Sequence, residues 1–215
     1  MQIESCGILI GMYPFSERDM IARIFTKDAG VLAGMLRGAV VAKKNKPLIG
    51  QVGNVSWNAR LDSQLGVFHW ESDKNLAVPL MLNAGLLKIM NSAFALIYTL
   101  IPERESYAQL YERTLHLLQN LPNTDSPNEL YLQWEIGLLR DLGYALDLSK
   151  CSGCGKNTNL CYVSPKTGRA VCSDCGAPYV NKLYKLPLSL AISGRFIENI
   201  CAVQSVDIPV ARKIL

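Results

Sequence analysis

Four cysteines stand in two short pairs, "CSGCG" (Cys151 to Gly155) and "CSDCG" (Cys172 to Gly176), with seventeen residues between Cys154 and Cys172. A C-x-x-C turn brings two thiolates together, and two such knuckles at this spacing match the four-sulfur shell of a zinc ribbon. The expected ligands are Cys151, Cys154, Cys172 and Cys175, and the expected ion is Zn2+ in a structural role. Each knuckle ends in glycine, which lets the backbone turn tightly. A redox dithiol is the competing reading, but a redox C-x-x-C usually stands alone beside a βαβ unit, and none is visible here. A catalytic zinc needs an open position for water. Four sulfurs close the shell, and the two histidines, His69 and His116, form no H-x-E partner motif. Cys161 lies outside both knuckles and reads as a packed or surface thiol, while Cys6 and Cys201 read as small core residues. Lys156, Lys166 and Arg169 lie in the loop with no acid between the pairs, and they offset the −2 charge of a zinc tetrathiolate or touch phosphate.

A second chemistry is carried by cations. Arg37, Lys43, Lys44, Lys46 and Arg60 fall in a stretch, Val31 to Leu61, that contains no acid. A flexible loop with this charge suits phosphates, although lysine-rich surface loops are also common. Trp57, Phe68 and Trp70 are candidates either for stacking on bases or for filling a small core. No G-x-x-x-x-G-K-[ST] loop, no G-x-G-x-x-G and no recognisable nucleophile–base set occurs, so the chain reads as non-enzymatic. "SERD", Ser16 to Asp19, reads as a turn.

The elements that must position these groups fall into two kinds. Residues 1–75 contain five short apolar runs, "GILIGMY", "MIARIFT", "VLAGML", "VGNVSWNA" and "LGVFHWE", separated by turn signals. That pattern predicts a small barrel or sandwich, with "RGAVVAKKNKPLIGQ" as its longest and most basic loop. Residues 76–215 predict helices: one over Leu76 to Ile101, stopped near Pro102, and one over Ser106 to Leu121. The best-marked starts at Pro127 with Ser126 as cap and Glu129 at the third helical position, and closes at Gly143. Further helices are expected over 187–203 and from "DIPVARKIL", with Asp207 as a cap. The fold class is therefore α+β and multidomain, with residues 148–180 as a cysteine-rich insertion in the helical part.

The 215 residues are 49% hydrophobic and 19% charged with a formal charge of +4, the composition of a globular protein that can bury a core. The first residues, "MQIESCGILIGMYPF", lack a basic n-region and read as a strand, not a signal. Asn83, Lys88, Asn91 and Ser92 interrupt the best membrane candidate, so no membrane association is expected. An odd cysteine count with two C-x-x-C pairs fits thiols kept reduced in a cytosol.

Taken together, "GILIGMYPFSERDMIARIFTKDAGVLAGMLRGAVVAKK" and "LLRDLGYALDLSKCSGCG…YVSPKTGRAVCSDCG" resemble the bacterial recombination mediator RecO family. The shared features are an E-x-D turn after the first strand, "IFT", "RG" before a basic stretch, and a helix–LGY–cysteine-loop junction. The resemblance implies an N-terminal five-stranded OB-fold, a helical domain with a four-cysteine zinc site, and DNA contacts at Arg37, Lys43 and Lys44. It further implies binding of single- and double-stranded DNA without sequence specificity and annealing of complementary strands. RecR and the acidic tail of single-strand binding protein are the implied partners, with RecA loading as the outcome. Such a protein would be cytoplasmic and associated with the nucleoid during repair. The family pattern continues into a longer basic helix where this sequence reaches "VARKIL", so contacts from that helix are not assigned here. The rival reading is a zinc-stabilised protein-interaction scaffold with incidental DNA contact.

Overall fold

The computed structural model describes residues 1–44, 46–60 and 65–215. They form two compact units, Met1–Pro127 with Ile208–Leu215, and Asn128–Asp207.

The first unit opens with β1 (Gln2–Pro14), β2 (Met20–Thr26), β3 (Gly30–Leu36), β4 (Gln51–Asn58) and β5 (Gly66–Asn75). They close into a barrel in the order β1-β2-β3-β5-β4, the OB arrangement expected from the resemblance. β1 is long because it serves two neighbours. Its first half pairs with β4, Gln2 opposite Asn58 through Ile8 opposite Val52, and its second half pairs with β2 out to Pro14 opposite Met20. A register shift between Leu9 and Gly11 bends it from one partner to the other. Leu9, Ile24, Leu32, Val55, Trp57 and Phe68 fill the interior.

Closure depends on a short parallel contact, Gly34 with Gly66 and Met35 with Val67. Side chains are excluded there. A Cβ on Gly66 would lie 2.1 Å from Nε1 of Trp57, and one on Gly34 would lie 2.8 Å from the Phe68 ring. The Trp57 N–H in turn donates to the Ala33 carbonyl at 2.9 Å.

Two helices complete the sequence up to Pro127. α1 (Ala84–Leu100) starts later than the apolar run suggests, because Val78–Leu80 form a 3-10 turn and Asn83 caps the helix. The Asn83 side chain accepts from the N–H groups of Gly85 (3.0 Å) and Leu86 (3.3 Å), which ends the run at a polar residue that looked like an interruption. α2 (Ala108–Asn120) buries Leu110, Tyr111, Leu117 and Leu118. Tyr111 meets Phe25 of β2 edge to face at 5.8 Å, and Lys27 pairs with Glu112 at 2.8 Å. Arg23 of β2 pairs with Glu103 and lies 4.2 Å over the Tyr98 ring of α1.

α3 (Pro127–Asp141) starts at Pro127, the last residue of that stretch, and carries the chain into the second unit with Tyr131, Trp134 and Leu138 buried. Its end is the one expected: Gly143 takes φ +85°, its N–H bonds to the Arg140 carbonyl, and the Tyr144 N–H reaches back to Leu139. A small sheet follows, ordered β7-β6-β8, from β6 (Leu160–Val163), β7 (Ala170–Cys172) and β8 (Tyr184–Lys185), with α4 (Ser173–Gly176) between β7 and β8. α5 (Leu190–Val203) is tied to α3 by Ser193, whose hydroxyl donates to the buried Glu135 carboxyl at 2.5 Å. α6 (Val210–Lys213), which belongs to the first unit and packs beside α1, takes Pro209 and not Asp207 at its capping position. Among the described residues no helix is long and apolar enough to cross a membrane.

Two glycines give a test of closure. Gly66→Ala forces the Trp57 indole out of the barrel, an overpacking cost of about 3 kcal/mol. Gly143→Ala meets no neighbouring atom and costs only its left-handed backbone, about 1–2 kcal/mol. Thermal unfolding should fall by roughly 6–12 °C for the first and clearly less for the second. Equal losses would refute closure by exclusion of side chains.

Candidate metal centre and nucleic-acid interface

Sulfurs of Cys151, Cys154, Cys172 and Cys175 all lie within 4.8 Å of one another. Cys154 Sγ and Cys172 Sγ are 3.7 Å apart. Zn–S bonds of about 2.3 Å place tetrahedral corners about 3.8 Å apart, whereas a disulfide needs about 2.05 Å. The set therefore fits a four-coordinate ion and not a bridged pair. Cys161, half-buried on β6, stands outside the cluster, and Cys201 is buried, as expected. Cys6 is exposed and not a core residue. It pairs across strands with Asn54 on the outer face of the barrel, and its thiol lies 3.6 Å from the Asn54 side-chain oxygen.

Local backbone geometry builds the two knuckles differently. In the first, Gly155 takes φ +76° and bonds back to the Cys151 carbonyl at 2.9 Å, so glycine is needed for its conformation. The second continues into α4 with Gly176 in a helical conformation; here glycine is needed for space, since a Cβ would lie 2.6 Å from the Tyr162 ring. The Asp147 strand segment fixes the approach: its N–H bonds to Gly168 and its carbonyl receives the Ala170 N–H. Ser149 donates to the Asp147 carboxylate through its hydroxyl (2.6 Å) and N–H (3.1 Å), which holds that carboxyl below its usual range.

Electrostatics makes the sulfur set ask for a cation. The Cys172 N–H (3.3 Å), with those of Cys154 and Gly153, lowers Cys151 to about 6. The sulfurs of Cys172, Cys154 and Cys151 push Cys175 up to about 12. The first thiol ionises readily and the last resists losing its proton beside the other sulfurs, a resistance that a divalent ion would lift. Lys156, Lys166 and Arg169 are exposed in the same loop.

The cationic residues stand elsewhere, on the first unit. Arg37, Lys43, Lys44 and Lys46 are exposed on the loop between β3 and β4, whose Asn45 lies outside the described residues, and Arg60 is exposed just after β4. The loop is fastened at both ends. Near its start, Asp19 Oδ1 accepts the Gly38 N–H at 2.8 Å, and the Arg18 carbonyl accepts the Val40 N–H at 3.0 Å. Near its end, the buried Gln51 carboxamide accepts from the Leu48 N–H (3.0 Å) and from Trp70 Nε1 (3.2 Å), and donates to the Lys46 carbonyl (3.4 Å). Sequence reasoning singled out neither Asp19 nor Gln51. The signal for Asp19 was the polar "SERD" turn, in which Ser16 Oγ receives the N–H groups of Arg18 and Asp19; nothing local marks Gln51.

Between this loop and β5 lies a cleft of about 480 Å3, lined by Arg37, Ala42, Pro47, Asn58 and Trp70 among others. The three candidate stacking residues separate here. Trp57 and Phe68 are 0% and 5% exposed in the barrel core, while Trp70 stays half-buried at the cleft. A second depression of about 420 Å3 is lined by Glu4, Asp28, His69 and Glu71, a wall that repels a polyanion.

Comparison with known proteins agrees with this arrangement. Residues 1–70 match the family model described as Recombination protein O N terminal, and residues 85–212 match Recombination protein O C terminal. The chain is 36% identical over 193 residues to the DNA repair protein RecO of Rhizobium rhizogenes, covering 89% of this chain and 74% of that protein. With the DNA repair protein RecO of Agrobacterium fabrum it shares 37% over 201 residues, covering 88% and 75%. With that of a Ruegeria species it shares 37% over 183 residues, covering 84% and 76%. Both halves of the chain thus carry the same assignment, and the chain belongs to the RecO family of DNA repair proteins.

Proposed function

We propose that this protein is a non-enzymatic mediator of DNA repair and recombination that grips single- and double-stranded DNA through the β3–β4 loop without reading sequence. The observation that carries this reading is the exposure of all five cations, Arg37, Lys43, Lys44 and Lys46 on the β3–β4 loop and Arg60 just after β4, while Asp19 of the neighbouring β1–β2 turn accepts the Gly38 N–H of that loop. A cationic surface that neutralises two strands lowers their mutual repulsion, which favours annealing. RecR and the acidic tail of single-strand binding protein are its proposed partners, loading of recombinase onto coated single strands its proposed outcome, and the cytoplasm, at the nucleoid, its proposed location. Zn2+ is the proposed ion of the four-cysteine centre. When bound, it would supply structural cross-linking of β6, β7 and the two knuckles, with four sulfurs leaving no position for a reacting water.

Salt dependence tests the DNA contact. Five cations at about 0.7 per neutralised phosphate set a slope of at most about 3.5 log units of affinity per log unit of salt on single strands. Replacing Arg37, Lys43 and Lys44 with alanine together should lower the slope by about 2 and slow annealing of complementary oligonucleotides. A slope unchanged by the triple substitution would reject the loop as the contact.

Metal analysis tests the centre. One zinc per chain is expected, with four sulfur neighbours by X-ray absorption. Cys172→Ser should release it and abolish hydrogen-exchange protection in β6 and β7 while leaving that of β1–β5, since structural zinc contributes about 10–16 kcal/mol in small fingers. An oxygen neighbour at the ion, or full protection after its loss, would contradict a structural role.

A further inference from the structure

We propose that the cleft between the β3–β4 loop and β5 is a site for one unpaired nucleobase, with Trp70 as the stacking surface and Arg37 as the partner of the adjoining phosphate; this rests on the DNA-binding reading above. Three features of the cleft match that ligand. Its walls are largely apolar, with Ala42, Pro47 and Trp70, which suits the faces of a planar ring. Asn58 and His69 place polar groups at the lining, where a base presents its donor and acceptor edge. Arg37 supplies a cation at the same wall, and Lys43, Lys44 and Lys46 continue the charge along the loop, as a base attached to a phosphodiester chain requires. A volume of about 480 Å3 lies within the range of small-molecule sites and excludes a base pair with both its backbones.

Trp70 is held ready for this role. Its indole N–H is fixed by Gln51, and the same carboxamide holds the loop backbone at Lys46 and Leu48. One buried side chain thus couples the position of the aromatic surface to that of the cations. Trp57, by contrast, spends its N–H on the Ala33 carbonyl inside the barrel and is closed to a ligand. The inferred consequence is a preference for strands with accessible bases that charge alone does not produce.

The test compares oligo(dT) with an abasic strand of the same length and charge, using the full chain. The wild type should favour oligo(dT) by about 5- to 150-fold, the effect of one stacked base. Trp70→Ala should bring the two affinities close to parity while abasic binding and its salt slope persist, since Gln51 still holds the loop at Leu48 and Lys46, and their persistence also shows that the variant is folded. Trp70→Phe keeps a ring and should retain a preference. Of the three tryptophans, Trp57 and Trp134 are buried, so quenching of emission by oligo(dT) should appear in the wild type and vanish in Trp70→Phe. Equal binding of both strands by the wild type, or a preference that survives Trp70→Ala, would overturn this inference and leave the phosphate-binding reading standing. Failure of the wild type to bind either strand would overturn both.

Discussion

β3 leaves the barrel after two residues of described contact with β5, and the cleft of the first unit follows from that brevity. Among the described residues, Gly34–Met35 and Gly66–Val67 make up the parallel pairing. Beyond them β5 runs on to Asn75 while the chain departs from Leu36 into the cationic loop. A longer ladder would have covered Phe68–Trp70 with backbone. The short one leaves a cleft there, and the loop becomes its other wall. The glycines at the contact are what let two strands approach over the Trp57 indole, so the packing of the core and the opening of the cleft are one constraint.

Charge is then arranged so that each centre is neutralised by a different means. Four thiolates on a divalent ion leave −2, and Lys156, Lys166 and Arg169 sit exposed in the same loop to offset it. The β3–β4 loop has no acid of its own, and the carboxylate nearest its backbone is taken up otherwise: Asp19 accepts the Gly38 N–H and the Ser16 hydroxyl. Among the described residues, the ion pairs Arg23–Glu103 and Lys27–Glu112 and the hydrogen bond between His69 and Glu71 involve none of the loop cations. Three acids of the barrel, Glu4, Asp28 and Glu71, line a different depression.

Local pattern made much of this legible. "MIARIFT" is β2 residue for residue, because a β-branched run bounded by "SERD" and "KDAG" has few other solutions. The C-x-x-C spacing marked the sulfur cluster because knuckle geometry is short-range. What stayed hidden was set by distant partners. Asp19 reads as a turn residue until Gly38 comes beside it, and Gln51 has no meaning before Trp70 and Leu48 reach it. Alternation in "VGNVSWNA" separates two faces but does not say which is inside; only the closed barrel places Val55 and Trp57 there. Cys6 misleads for the same reason, since apolar character does not choose a face and its cross-strand neighbour is the exposed Asn54. In α1 the apolar run outweighed the polar Asn83, though that residue is the one that starts the helix.

If the protein anneals strands as proposed, it faces a conflict between holding a strand and giving it up. Phosphate contacts do not conflict, because a duplex keeps its phosphates outward and the loop can hold them before and after pairing. A base in the cleft does conflict, since it must leave before it can pair. Its hold, about 1–3 kcal/mol for one stacked base, is on the scale of one duplex stacking step, about 1.4 kcal/mol. A complementary strand that pairs on either side therefore gains enough to draw the captured base out. A row of several stacking residues would multiply the hold and trap the strand. The barrel buries Trp57 and Phe68 and leaves Trp70 alone of the three partly exposed, so that capture by the proposed site would be specific to unpaired DNA yet weak enough to be reversed by pairing.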